Sequence, residues 1–171
     1  MTGLTPSQTV GPFFSIGLPF GAGPFAVSAE DPDGIWLRGT VFDGAGDPVP
    51  DALIETWQTS PASDAAFRGF ARCPTDADGR YAVRTRKPTG VPGPDGRDQA
   101  PHLAMSVFAR GLLDRVVTRV YFADEPANDA DPILSTVDSD RRATLVAAVH
   151  EDGYRLDIRL QGEGETVFFA I

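Results

Sequence analysis

APHLAMSVFARG, residues 100–111, alternates cleanly when read as a strand. Leu103, Met105, Val107 and Ala109 fall on one face, and His102, Ala104, Ser106, Phe108 and Arg110 on the other. The first face is wholly apolar and predicts a core-facing surface. The second begins with an imidazole and ends in a guanidinium just before Gly111. A strand buried on one side belongs to a layered sheet, so neighbouring segments should show the same period.

They repeat it. Strand signals cover Ile35–Phe42, Ala52–Gln58, Phe67–Arg72, Tyr81–Thr85, Arg115–Phe122, Tyr154–Leu160 and Thr166–Ile171. Between them lie clusters of Gly, Pro and Asp: Asp43–Ala52, the DADG stretch Asp76–Gly79 read as a hairpin turn, Lys87–Asp98 and Gln161–Glu165. Asp140–Val149 predicts one short helix, with Ser139 or Asp138 as its cap. The expected fold is therefore all-β, an antiparallel β-sandwich with at most one short helix and an extended N-terminal arm. The expected organisation is a single domain over residues 1–171. Its arm, Met1–Asp33, is rich in Gly, Pro and Phe. Exposed aromatics are poorly solvated, so the arm is expected to pack on its own domain or on a neighbour.

The 171 residues suffice for one sizeable core, and 18 glycines with 15 prolines, spread along the chain, suit many turns. A net charge of −9 argues against a nucleic acid or an anionic membrane surface as the main partner. Cys73 stands alone, which excludes an internal disulfide framework and suits a buried, unreactive thiol in a reducing compartment. With no basic-then-apolar leader and no apolar run of spanning length, the expected location is cytoplasmic.

Most chemistries fail on residue type. Two histidines, His102 and His150, with one cysteine cannot by themselves build a zinc cage. DADG resembles the start of a calcium loop, but the twelfth position is Lys87 rather than glutamate. No G-x-S-x-G elbow is present, and GEG at Gly162–Gly164 precedes a strand signal, not a helix. Arg110 has two readings: a solvated rim arginine, or a clamp for a carboxylate at a sheet edge.

Several stretches taken in order resemble one family. TPSQTVGPFFSIGL, DGAGDPVPDALIETWQ, DADGRYAVRTRKP, APHLAMSVFARG, VVTRVYF and YRLDIRLQGEGETVFF are similar to the intradiol ring-cleaving dioxygenases. The TPSQT-GP arm and the QGEGETVFF ending resemble its alpha type of subunit. The resemblance implies a β-sandwich and a ferric ion, Fe(3+), held by two tyrosines and two histidines, the latter from an H-x-H strand. Here that motif reads His102-Leu103-Ala104, and no tyrosine stands between Gln58 and Arg80 or between Lys87 and Pro101. The resemblance thus implies that this chain holds no iron and that an iron-bearing beta subunit is its partner. It further implies that Arg110, with Thr9, Gly11 and Pro12 of the arm, lines the partner's substrate site. The implied substrates are protocatechuate and O₂, in aromatic catabolism. The alternative from the residues alone is a stand-alone prealbumin-like sandwich used for binding or scaffolding.

Overall fold

Eleven strands carry the architecture in a computed structural model that describes residues 14–19, 21–59, 67–93 and 96–170. The main strands are β1 (Gly34–Phe42), β2 (Leu53–Trp57), β3 (Phe70–Pro74), β4 (Arg80–Arg86), β7 (Leu103–Phe108) and β8 (Val116–Phe122). Shorter ones are β5 (Val91–Pro92), β6 (Asp98–Gln99), β9 (Val146–His150), β10 (Gly153–Arg155) and β11 (Ile158–Arg159). Apart from the small β5–β6 ladder, they form one nine-stranded sheet that runs β3-β2-β7-β8-β9-β10-β1. Beyond β10, β11 continues along β1, and β4 also pairs with β1. The two ends of this order, β3 and β4, are consecutive in the chain. The sheet therefore curls until the Asp76–Gly79 turn joins its ends, giving a nearly closed, flattened sandwich.

The alternation along residues 100–111 holds. Leu103, Met105, Val107 and Ala109 are buried, as are Leu37 and Val41 of β1, Ile54 of β2 and Val83 of β4. Each fully buried side chain of this size contributes roughly 1.5–3 kcal/mol relative to exposure. Val120, Tyr121 and Phe122 are all fully buried, because β8 lies between this core and a second cluster of Ala100, Leu134, Val137 and Leu145. A strand covered on both faces reads as an unbroken apolar run, as VYF does.

Four expectations need correction. Asp140–Val149 is not an α-helix: Arg142–Leu145 makes a 3₁₀ turn and Val146–His150 is β9. Pairing with β8 and β10 satisfies its backbone, and this outweighs a weak helical propensity. Among the described residues the α-helix is a single turn at Phe14–Gly17. The DADG turn is closed by Gly79 N–H to the Asp76 carbonyl at 2.9 Å, but it is not a hairpin within one ladder, since β3 pairs with β2 and β4 with β1. Thr166–Ala170 is extended without being a ladder strand, tied by single bonds such as Phe169 N–H to the Val117 carbonyl at 2.8 Å. Finally, not every ladder is antiparallel: β1 with β10 and β11, and β8 with β9, run parallel.

The described part of the arm packs on its own sheet. Ala26 and Val27 are buried, Arg84 N–H donates to the Pro24 carbonyl at 2.8 Å, and Phe25 meets Trp36 edge-on at 5.9 Å. Gly39 is sterically required. A Cβ on Gly39 would overlap the Leu156 carbonyl, which accepts the Tyr81 hydroxyl at 2.7 Å.

Candidate functional site

The outward face of β7 meets its neighbours in one row. Across three antiparallel strands Trp57 of β2 stands opposite Ala104 of β7, which stands opposite Arg119 of β8. Directly opposed residues share a face, so an indole, a methyl and a guanidinium lie side by side. The small middle residue leaves a hollow of about 200 Å³, lined also by Gln58, Gln99 and His102 and bordered by Pro88, Thr89 and Val91.

His102 sits where β7 begins, its Nδ1 2.7 Å from the Ala100 carbonyl. A carbonyl only accepts, so Nδ1 carries the proton and Nε2 the lone pair. Burial first, with Arg119 nearby, lowers its pKa below the usual histidine value, so the ring is neutral at pH 7. It lies 5.7 Å from the Tyr121 ring. Arg119 donates through Nη1 to Gln99 Oε1 at 2.7 Å and more weakly to the Tyr121 hydroxyl at 3.4 Å. Tyr121 in turn donates to Asp131 Oδ1 at 3.0 Å. Asp131 is fully buried and also accepts the backbone N–H groups of Ala100, Ile133 and Leu134 at 2.7–2.9 Å. Gln58 is equally fixed: its Oε1 accepts the Thr85 hydroxyl at 2.7 Å and its Nε2 donates to the Arg86 carbonyl at 3.1 Å.

These residues do not fit a ferric ion. Ala104 offers no donor atom, and a guanidinium, itself cationic, stands directly across from it. The one tyrosine against His102 is a poor source of tyrosinate. Burial above all pushes the Tyr121 hydroxyl far above its ordinary pKa, and its proton is committed to Asp131. Among the described residues no group of three or more His, Cys, Asp or Glu side chains is placed to hold a metal. His150 is elsewhere, 3.5 Å from Asp152 at the β9–β10 turn.

The other candidates separate. Arg110 lies just past β7, its side chain 62% exposed and its Nε 2.6 Å from Asp51 Oδ2. Thr9, Gly11 and Pro12 lie outside the described residues. Cys73 is buried, its thiol pushed up by desolvation and directed at the Pro74 carbonyl, 3.3 Å away. Reading the sequence alone misses Trp57, Gln58, Gln99 and Arg119. Only strand register brings them to His102, and register is invisible in a single strand's pattern.

Known proteins share this architecture. The Dioxygenase_C family model, described as a dioxygenase, matches residues 10–162. The chain is 43% identical to a protocatechuate 3,4-dioxygenase alpha chain of Burkholderia cepacia, over 98% of this chain and 97% of that one. It is 33% identical to the protocatechuate 3,4-dioxygenase beta chain of the same organism, over 82% of this chain and 71% of that one. Among solved structures, the dioxygenase domain of a dioxygenase–carbohydrate-binding protein fusion from Streptomyces sp. SirexAA-E superposes with a TM-score of 0.62. Its identity is 25%, over 92% of this chain and 98% of that one. The nearly closed sheet and the match along almost the whole length agree, and the chain belongs to the intradiol ring-cleaving dioxygenases.

Proposed function

We propose that this chain is the alpha-type subunit of a hetero-oligomeric protocatechuate 3,4-dioxygenase and that the ferric ion of the enzyme is held by a beta-type partner. The assembly would open 3,4-dihydroxybenzoate between its two hydroxyl-bearing carbons, both atoms of O₂ entering the product, 3-carboxy-cis,cis-muconate. The observation that carries this reading is the Ala104–Arg119 juxtaposition. It puts a cation directly across from Ala104, the residue at the place of the family's second histidine, in a chain otherwise similar end to end to alpha chains. On this reading Arg110, with Thr9, Gly11 and Pro12 of the arm, lines the partner's substrate pocket, where a guanidinium suits the substrate carboxylate. Arg110 Nε lies 2.6 Å from Asp51 Oδ2, and the side chain remains 62% exposed, so the guanidinium is within reach of a ligand. The lone buried thiol suits the cytoplasm, where the reaction would take place.

The test is co-expression with a beta-type chain that carries both tyrosines and H-x-H. The expected result is a stable complex with iron in proportion to the beta chain, which consumes protocatechuate and O₂ one for one. This chain alone should show neither iron nor turnover. Failure of the two chains to associate, or a full iron complement on this chain alone, would overturn the reading.

A further inference from the structure

We propose that the hollow over Ala104 is a binding site for a small aromatic carboxylate, with Arg119 as the anion's partner. Three observations carry it. Arg119 is a permanent cation, half-buried, whose hydrogen bonds go only to neutral oxygens, those of Gln99 and Tyr121. Among the described residues no carboxylate pairs with it directly, the nearest in its network being Asp131 beyond the Tyr121 hydroxyl, and a partly enclosed guanidinium without a direct ion pair is a ready anion partner. The hollow, at about 200 Å³, is smaller than pockets that take drug-sized ligands, which matches one ring and its substituent. Trp57, 56% exposed, gives it an aromatic wall, and Gln58 and His102 supply fixed polar groups. This inference concerns the chain's own pocket and stands whether or not a beta-type partner is found.

Benzoate and benzamide, which share a shape and differ in charge, are titrated into the full chain by calorimetry, with Trp fluorescence as a second readout. Benzoate should bind one to one, and benzamide about tenfold or more weaker, the loss expected when a charge-assisted hydrogen bond is removed. Arg119→Gln should weaken benzoate by a similar factor. Ala104→Leu, which fills the hollow and keeps the charge, should abolish binding while circular dichroism and the melting temperature show a folded chain. Should Arg119→Gln fail to fold, Ala104→Leu decides. Arg80→Ala, which removes an exposed arginine paired with Asp78 away from the hollow, should bind benzoate as the parent chain does. Equal affinity for benzamide, unchanged binding in Ala104→Leu, or loss of binding in Arg80→Ala would overturn the proposal, the last by showing that the anion does not depend on the hollow.

Discussion

Arg110 and Asp51 form a lopsided ion pair: Nε lies 2.6 Å from Oδ2, with the arginine side chain 62% exposed and the aspartate 14%. Both Asp51 oxygens are buried and accept no aligned hydrogen bond, so the carboxylate depends on its neighbour's charge alone. The pair tethers Arg110 at Nε while most of its side chain stays exposed.

Two separable effects of Arg110→Ala are expected. The first is a stability loss of about 1–2 kcal/mol, because Asp51 keeps a buried, unpaired charge. Asp51→Asn in the same chain should recover most of it in denaturant melts. The second appears only in the complex with a beta-type chain: kcat/KM for protocatechuate should fall roughly ten- to hundredfold, and far less for catechol, which has no carboxylate. Arg110→Lys should restore part of this, since a point charge cannot reproduce the planar fork. Equal losses on both catechols would mean that Arg110 acts through the subunit interface and not on the carboxylate.

Asp131 is the structural support beneath His102. It gathers four donors, the Tyr121 hydroxyl and the backbone N–H groups of Ala100, Ile133 and Leu134. Asp131→Ala would leave these donors buried and unmet, and should cost on the order of 3 kcal/mol. Asp131→Asn keeps one oxygen acceptor and should cost less. Urea unfolding of the three proteins reads the order directly. A loss within about 0.5 kcal/mol for Asp131→Ala, the range of an ordinary surface substitution, would contradict it.

Asp31 ties the arm to β4 through Arg86, with Nη2 at 2.6 Å and Nε at 3.2 Å from its two oxygens. The Arg86 hydrogen bond, opposed by partial desolvation, holds the Asp31 carboxyl below the usual carboxylate range. A depressed folded pKa stabilises the fold above the unfolded value of about 4, and that stability is lost as pH falls through the folded value. The advantage of the parent chain over Asp31→Asn should therefore be full at pH 7 and shrink toward zero in acid. Denaturant midpoints for both proteins at pH 7, 5 and 3 measure it. A gap that stays constant over this range would show that the carboxylate's charge plays no part.

The core face of β7 is legible in the segment itself, because a strand's period of two assigns every residue to a side. Leu103, Met105 and Val107 need no neighbours to be placed. The absence of a donor at Ala104 is equally plain, since a methyl group has no lone pair in any fold. The segment Asp140–Val149 misleads because its Arg, Ala and Leu residues suit a helix locally, while the strands on either side need its backbone. Asp51 and Arg110 are 59 positions apart, and nothing in either stretch announces that they meet. The same is true of Trp57, Ala104 and Arg119, 47 and 15 positions apart along the chain and one row across the sheet. Sequence by itself determined the fold class, the strand faces and the absence of a donor atom at Ala104, which are properties of local period and residue chemistry. The tertiary structure alone decided which charges stand together, because pairing register is set by long-range packing and turn geometry, and a shift of one residue would turn Arg119 to the other face.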